Sequence, residues 1–482
     1  MTLPIHYAKD SDNIVTLTFN SEGQRVNTLN DEMRDCLIET IERVVKEKDS
    51  ITGVIFASAK STFFAGGDLN YLYQLKAEDA GQLFDQIAVV KHAFRQLETL
   101  GKPVVAAING SAVGGGFELA LACHYRICID DPKTQLGLPE ASLGLLPGLG
   151  GVVRMNLLLG LIESQPYLQT GKLFNPTYGF KAGMVDQLVA DPTALMQAAR
   201  SWILSGPDAI QPWDRDGYQV PGGRPGVPEL DAWIATAMDT LRTKTKGCYP
   251  APEIILSSSI EGMKVDFEQA DLIETRGFIE LVTGSVAKNM IGTFWFQLNS
   301  LKAEAGRSAS IDSVRVSKSV LRDSGAMPDE LFIQRLNAVY AAQRQALQDE
   351  GQDIFSIETG ALSAGFPPGS DLACNEFLQS ATPILSKNIP LQDVKDRLLF
   401  SLALESVRML QEGVLDDVRV GNVDSVIRMC FPRWTGGVFQ FLNQYGLSKA
   451  VDRALELAGQ YGECFAPPVL LVKKAQQAEP FF

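Results

Sequence analysis

Residues 103–130 constrain the fold more than any other stretch of the chain. Pro103 to Asn109 (PVVAAIN) is an apolar run of strand length, of the kind that suits a strand buried on both faces. Gly114-Gly115-Gly116 follows, then FELALAC, a good helix former, and then Tyr125 to Asp130 (YRICID), a second strand. A buried strand, a glycine turn, a helix and another strand predict a parallel crossover unit.

The same alternation extends over the first 190 or so residues. Asn13 to Asn20 (NIVTLTFN) and Ile51 to Ser58 (ITGVIFAS) read as strands. Asn30 looks like an N-cap, with Asp31 and Glu32 in the first turn and Met33, Leu37, Ile41 and Val44 at helical spacing. Residues 206–228 are rich in Pro, Gly and Asp and read as a surface loop or linker. From about Asp231 the pattern is helical, with a small, polar break at Ala303 to Ser310.

The C-terminal part carries a weak internal repeat. Arg335 and Gly351 match Arg397 and Gly413 at an offset of 62, and Phe366-Pro367 match Phe431-Pro432 at an offset of 65. Leu399, Leu402, Ala403, Val407 and Leu410 would mark one face of a helix that ends at Gly413. Two similar helical units are expected to pack together.

A length of 482 residues calls for two to four domains, drawn at 1–205, 206–305, 306–390 and 391–482. The net charge of −14 argues against a broad nucleic-acid surface. No apolar run approaches the roughly 20 residues of an integral membrane segment. The scattered cysteines, seven in all and without a C-x-x-C, read as reduced thiols of a cytoplasmic protein with no metal site. Only His6, His92 and His124 are present, which removes most histidine-based catalysis, and His124 reads as structural.

Three segments carry chemistry together: Phe63 to Leu69 (FFAGGDL), Asn109 to Leu119 (NGSAVGGGFEL) and Gly137 to Gly151 (GLPEASLGLLPGLGG). Glycines at a strand-to-helix junction free backbone N–H groups, and the helix N-terminus adds positive potential. Two such amides can hold a carbonyl that becomes an enolate. Glu118 and Glu140 could then do acid–base work beside it, with their proton affinities raised by burial and by each other. Each piece alone has an ordinary explanation as a turn, a capping residue or a loop. No G-x-G-x-x-G follows a strand, and no P-loop is present.

In wording and order, Ala65-Gly66-Gly67-Asp68, Asn109 through Glu118, and Pro139-Glu140 through Gly151 resemble the crotonase superfamily (enoyl-CoA hydratase/isomerase). The resemblance covers roughly residues 10 to 200. It implies an α/β crotonase (ββα spiral) N-terminal domain. It further implies oxyanion-hole amides at Gly67 and Gly115, a water held or activated by Glu118, and a proton delivered to Cα of an enoyl thioester by Glu140. Substrate contacts are expected at Ala65, Asp68, Leu69, Gly114, Pro139 and Gly148. Asp130 to Thr134 looks like a short insertion, expected in a turn. Arg25, Lys60 and Lys102 lie near the motifs, but nothing in the sequence selects among them as ligands of the CoA phosphates.

Tyr249 to Gly292 resembles the linker of multifunctional fatty-acid oxidation α-subunits. The helical repeats, with GFPPG at 365–369 and FPRWTGG at 431–437, resemble the all-α C-terminal domain of 3-hydroxyacyl-CoA dehydrogenase. The dinucleotide-binding domain expected between them is missing, and no histidine follows His124. The resemblance therefore implies an acyl-CoA thioester substrate, no NAD site and no dehydrogenase step. The helical part would shape the acyl pocket, mediate assembly or persist as a remnant. Expected partners are copies of the same chain, with a thiolase-like protein a further candidate. Hydration of 2-enoyl-CoA is the leading reading. Δ3-Δ2 isomerisation and non-catalytic acyl-CoA binding are the alternatives.

Overall fold

A computed structural model of the chain describes residues 3–304, 330–367 and 389–482. The chain divides into two compact units. One comprises Met1–Leu241 with Pro250–Gly284, and the other Arg242–Tyr249 with Ser285–Phe482. Most of the expected 206–305 extension thus packs with the N-terminal unit. The expected boundaries at 305 and 390 fall beside stretches outside the described residues.

In the first unit the strands are β1 (Ile5–Lys9), β2 (Ile14–Phe19), β3 (Gly53–Ser58), β4 (Val104–Ile108), β5 (Ala112–Val113), β6 (Tyr125–Ile129), β7 (Leu136–Gly137) and β8 (Gln187–Val189). Six of them form one sheet in the order β1-β2-β3-β4-β6-β8, and β5 and β7 form a separate parallel pair. Only β1–β2 is antiparallel in the large sheet. Parallel pairing demands crossovers, which here include α1 (Asp31–Lys46), α2 (Ala80–Glu98), α3 (Gly115–Ala122) and α4 (Gly151–Leu159), while α5 (Pro192–Leu204) follows the last strand. Asn30 does cap α1, accepting from the Met33 amide at 2.9 Å. Asp131 to Thr134 form the expected turn, closed by the Thr134 amide on the Asp131 carbonyl.

Side chains alternate across the sheet. Ile14, Ile55, Val105, Ala107 and Ile127 pack against Leu195, Ala199 and Ile203 of α5. Val15, Leu17, Phe19, Val54 and Phe56 are buried on the opposite face. A helical hairpin, α6 (Pro250–Gly262) and α7 (Phe267–Thr283), closes the unit by packing against α2 and α4.

The second unit is helical throughout its described residues. Its main helices are α8 (Glu330–Asp349), α9 (Ile354–Ala364), α10 (Leu391–Glu412), α11 (Val418–Ile427), α12 (Val438–Tyr445), α13 (Leu447–Tyr461) and α14 (Val469–Gln477). The repeat pairs α8 with α10, and Phe366 meets Phe431 edge to face at 5.9 Å. Gly413 ends α10 in the left-handed conformation, as expected. The expected single apolar face of α10 needs correction. Residues 396–407 are buried all round, Asp396, Arg397 and Glu405 included, because α10 is the central helix that its neighbours enclose. Trp434 is half-buried and donates to the Ala364 carbonyl, while Arg433 lies over the Phe294 ring at 4.0 Å. Among the described residues no helix is long and apolar enough to cross a membrane.

Candidate active site

The site forms where two backbone segments run side by side. The Phe63 and Phe64 amides donate to the Ser111 carbonyl, and the Val113 amide donates to the Phe64 carbonyl. This parallel pairing carries Gly66 alongside Gly114 and Gly115. A Cβ on Gly66 would lie 3.4 Å from the Gly115 nitrogen. Gly115 is the first residue of α3, so its amide has no carbonyl one turn earlier in the helix to bind. Gly67 is exposed in the adjoining loop, after the half-buried Ala65. Asp68 caps the short helix that begins at Leu69, accepting from the Asn70 amide at 2.8 Å.

Gly114 turns the chain from β5 into α3 at φ +55°, a conformation that favours glycine. A Cβ there would come within 2.7 Å of Glu140 Oε1. The turn therefore brings Glu140 against the glycine segment. Glu140 opens a turn of 3-10 helix (Glu140–Leu143) directly after Pro139. Its Oε2 is sealed from solvent and has no hydrogen-bond partner.

Glu118 lies in the first turn of α3 and is buried. Its Oε1 accepts from the amides of Leu149 at 2.7 Å and Gly151 at 2.8 Å. These amides belong to the loop leading into α4, so the helix dipole adds to the hold. Oε2 faces the glycine turn, 3.9 Å from where a Cβ on Gly115 would stand. One oxygen is thus anchored and the other faces the site. Gly148, in the same loop, is buried, and a Cβ there would meet the Phe278 ring at 2.8 Å.

Burial pushes the Glu118 carboxyl up to about 8, aided by the negative Glu274 and opposed by its two amides and by Lys91. Burial holds Glu140 well above the usual carboxylate range, with the Glu118 charge next in effect. The protons belong to the cluster rather than to single residues. Glu118 has two amides to stabilise its anion, whereas Glu140 Oε2 has no donor. Glu118 therefore ionises first.

The structure brings Glu118, Glu140, Gly114 and Gly115 together, with Gly67 and Ala65 in the loop alongside. It also supplies residues that the sequence reading missed. Glu274 and Lys91 make a buried ion pair at 2.9 Å. Arg154 of α4 binds Glu98 of α2 through Nε at 2.7 Å and Nη2 at 3.1 Å, both side chains being fully buried. The available signal was charge at core positions. Lys91 and Glu98 share the helical stripe of Ile87 and Phe94, where a charge persists only if it is paired. His124 has the structural role expected of it, with Nδ1 accepting from the Val104 amide and Nε2 3.0 Å from the Glu98 carbonyl.

Residues 9–209 match the model of the enoyl-CoA hydratase/isomerase family. The chain is 34% identical over 329 residues to the fatty acid oxidation complex subunit alpha of Shewanella sp. (strain MR-4), covering 68% of this chain and 45% of that protein. It is 35% identical over 330 residues to the protein of the same name from Shewanella baltica (strain OS185), covering 68% and 46%. The chain thus spans less than half the length of these curated relatives. Human mitochondrial Δ3-Δ2-enoyl-CoA isomerase aligns over 62% of this chain and 99% of its own, with 22% identity and a TM-score of 0.45. The glycine turn and the two carboxylates all lie within residues 9–209, the segment that matches the enoyl-CoA hydratase/isomerase, or crotonase, family.

Proposed function

We propose that this chain hydrates 2-enoyl-CoA thioesters. The observation that carries the reading is the pair of carboxylates beside one glycine turn, Glu118 buried and anchored through Oε1 and Glu140 with Oε2 sealed and unpartnered. The amides of Gly67 and Gly115 hold the thioester oxygen as negative charge develops on it. Glu118 Oε2 takes a proton from a water that attacks Cβ. Glu140 gives its proton to Cα. The atoms of one water are thereby added across the double bond, and a proton passed back to Glu140 resets the pair. Ala65, Asp68, Leu69, Gly114, Pro139 and Gly148 are the proposed lining of the thioester and acyl path.

The chemistry is two proton transfers and needs no redox partner. Dehydrogenation is not assigned to this chain, because the resembled dehydrogenase uses a histidine and this sequence has none after His124. Self-assembly, a thiolase-like partner, a cytoplasmic location and a dehydrogenase-like origin for the helical unit remain part of the same proposal.

A second reading rests on Glu140. A lone carboxyl with one unpartnered oxygen can move a proton between C2 and C4 of a 3-enoyl thioester, which is isomerisation. Loss of the 2-enoyl absorbance of crotonyl-CoA, followed in wild type, Glu118→Gln and Glu140→Gln, separates the two. Hydration needs both acids. Isomerisation of a 3-enoyl-CoA that survives Glu118→Gln but not Glu140→Gln favours the second reading. An inactive wild type on both substrates overturns both.

A further inference from the structure

Two carboxylates, not one, hold the start of α4. Glu118 Oε1 takes the amides of Leu149 and Gly151. Glu274 takes the two between and beyond them, Gly150 at 2.6 Å through Oε1 and Val153 at 3.1 Å through Oε2. The donors alternate along the backbone, so neither acid can move without disturbing the other's anchor.

Glu274 is buried on α7, outside the residues that match the family. Lys91 Nζ, buried on α2, lies 2.9 Å from Glu274 Oε1 and 3.0 Å from Asp271 Oδ1. It also donates to the Asp271 carbonyl and to Thr275 Oγ1, each at 2.8 Å. Three donors therefore face Glu274, two amides and an ammonium. Burial and the neighbouring Asp271 raise the proton affinity of Glu274, and Lys91 and the Val153 amide oppose them. The two amides and the ammonium favour the anion of Glu274, and that charge lies close enough to raise the proton affinity of Glu118 and, more weakly, of Glu140. The charged groups around it are Lys91 on α2, Asp271 on its own helix, Arg154 on α4, Glu118 on α3 and Glu140.

We propose that Glu274, clamped by Lys91, is a positioning residue for Glu118, so that the α6–α7 hairpin beyond the family segment completes the active site. It fixes the loop that orients Glu118, and it sets the pH at which Glu118 becomes a base. The kinetic part of this proposal rests on the hydratase reading. The electrostatic part does not.

The test compares Glu274→Gln, which keeps shape and loses charge, with Glu274→Asp, which keeps charge and shortens the reach. Two signals are read in the full-length chain. One is the pH profile of crotonyl-CoA hydration. The other is infrared titration of the protonated carboxyl band that disappears in Glu118→Gln. In Glu274→Gln, the acid limb of the profile and the carboxyl band should both move down by about one pH unit. Turnover should fall about 10- to 100-fold with KM little changed, the usual cost of losing an outer partner of an active group. In Glu274→Asp the band should stay in place while turnover drops. An unmoved band in Glu274→Gln overturns the proposal. If that variant does not fold, Glu274→Asp decides. A fixed band with reduced turnover then supports positioning, and a shifted band or wild-type turnover overturns it. A wild type that does not hydrate crotonyl-CoA removes the hydratase reading, and the band titration still decides whether Glu274 governs Glu118.

Discussion

Arg397 grips Glu350 with both terminal nitrogens, Nη1 to Oε2 at 2.9 Å and Nη2 to Oε1 at 2.8 Å, and the reciprocal Arg335 reaches Glu412 through Nη1 alone at 2.5 Å, its Nη2 turning to Glu405. Each arginine starts from one copy of the helical repeat and reaches the acid just before the closing glycine of the other. Arg397 is buried and lies over the Tyr461 ring at 4.4 Å, whereas Arg335 and Glu412 are partly exposed. The two reciprocal pairs should differ in worth. Arg397→Met is expected to lower the local stability of α8 and α10 by about 2–4 kcal/mol, since it strands an acid in a half-buried setting. Arg335→Met should cost less than about 1 kcal/mol. Native-state hydrogen exchange across the two helices measures both, and equal losses would contradict the argument.

If the proposed hydration holds, Glu118 and Glu140 should both be needed for it. Glu118→Gln and Glu140→Gln are each expected to reduce kcat with crotonyl-CoA by about 10²- to 10⁴-fold, the usual contribution of a positioned acid or base. The glutamine at 118 can still accept from the Leu149 and Gly151 amides, so folding should survive. Circular dichroism checks that point, and a variant with near wild-type turnover removes its residue from the mechanism.

Burial of Glu118 should make the first unit sensitive to alkali. Its folded-state pKa is raised from 4.5 to about 8. The stability linked to its protonated form is therefore complete below 4.5 and is lost as pH rises to about 8. Wild type should lose on the order of a few kcal/mol over that window from this group, shared with its titrating neighbour Glu140. Glu118→Gln should flatten the dependence. Thermal unfolding of both proteins at a series of pH values is the measurement, and parallel curves would show that Glu118 is not the source.

Gly114→Ala should damage both the turn and the acid beside it. The positive φ disfavours any side chain, and the new methyl would press on Glu140 Oε1. A stability loss of about 1–3 kcal/mol is expected from the backbone alone. Turnover should fall further than stability does, because Glu140 must shift. Unfolding midpoints and kcat measured on the same preparation test this, and unchanged kcat would show that Glu140 is free to yield.

Much of the site was legible because its parts lie in short, ordered segments. The glycines of 114–116 demand a turn at a strand end, and Glu118 follows within one helical turn, so local geometry sets their relation. Asn30 as a cap and Gly413 as a helix stop were legible for the same reason, since caps depend on neighbours a few residues away. The burial of α10 was not. Its sequence shows one apolar face, and only the packing of α8, α9 and α12 around it explains why Arg397 and Glu405 are inside.

The sequence by itself determined the strand–helix alternation, the glycine turn, and the identity of Glu118 and Glu140 as the acids beside it. These follow from side-chain period, from backbone freedom at glycine and from spacing within one motif. Only the tertiary structure decided that Gly150 and Val153 bind Glu274, that Lys91 neutralises it, and that Arg154 meets Glu98. Those partners lie 56 to 183 residues apart, on elements that meet only when the unit closes. A buried charge in a sequence announces that it needs a partner, but the choice among distant candidates is made by packing.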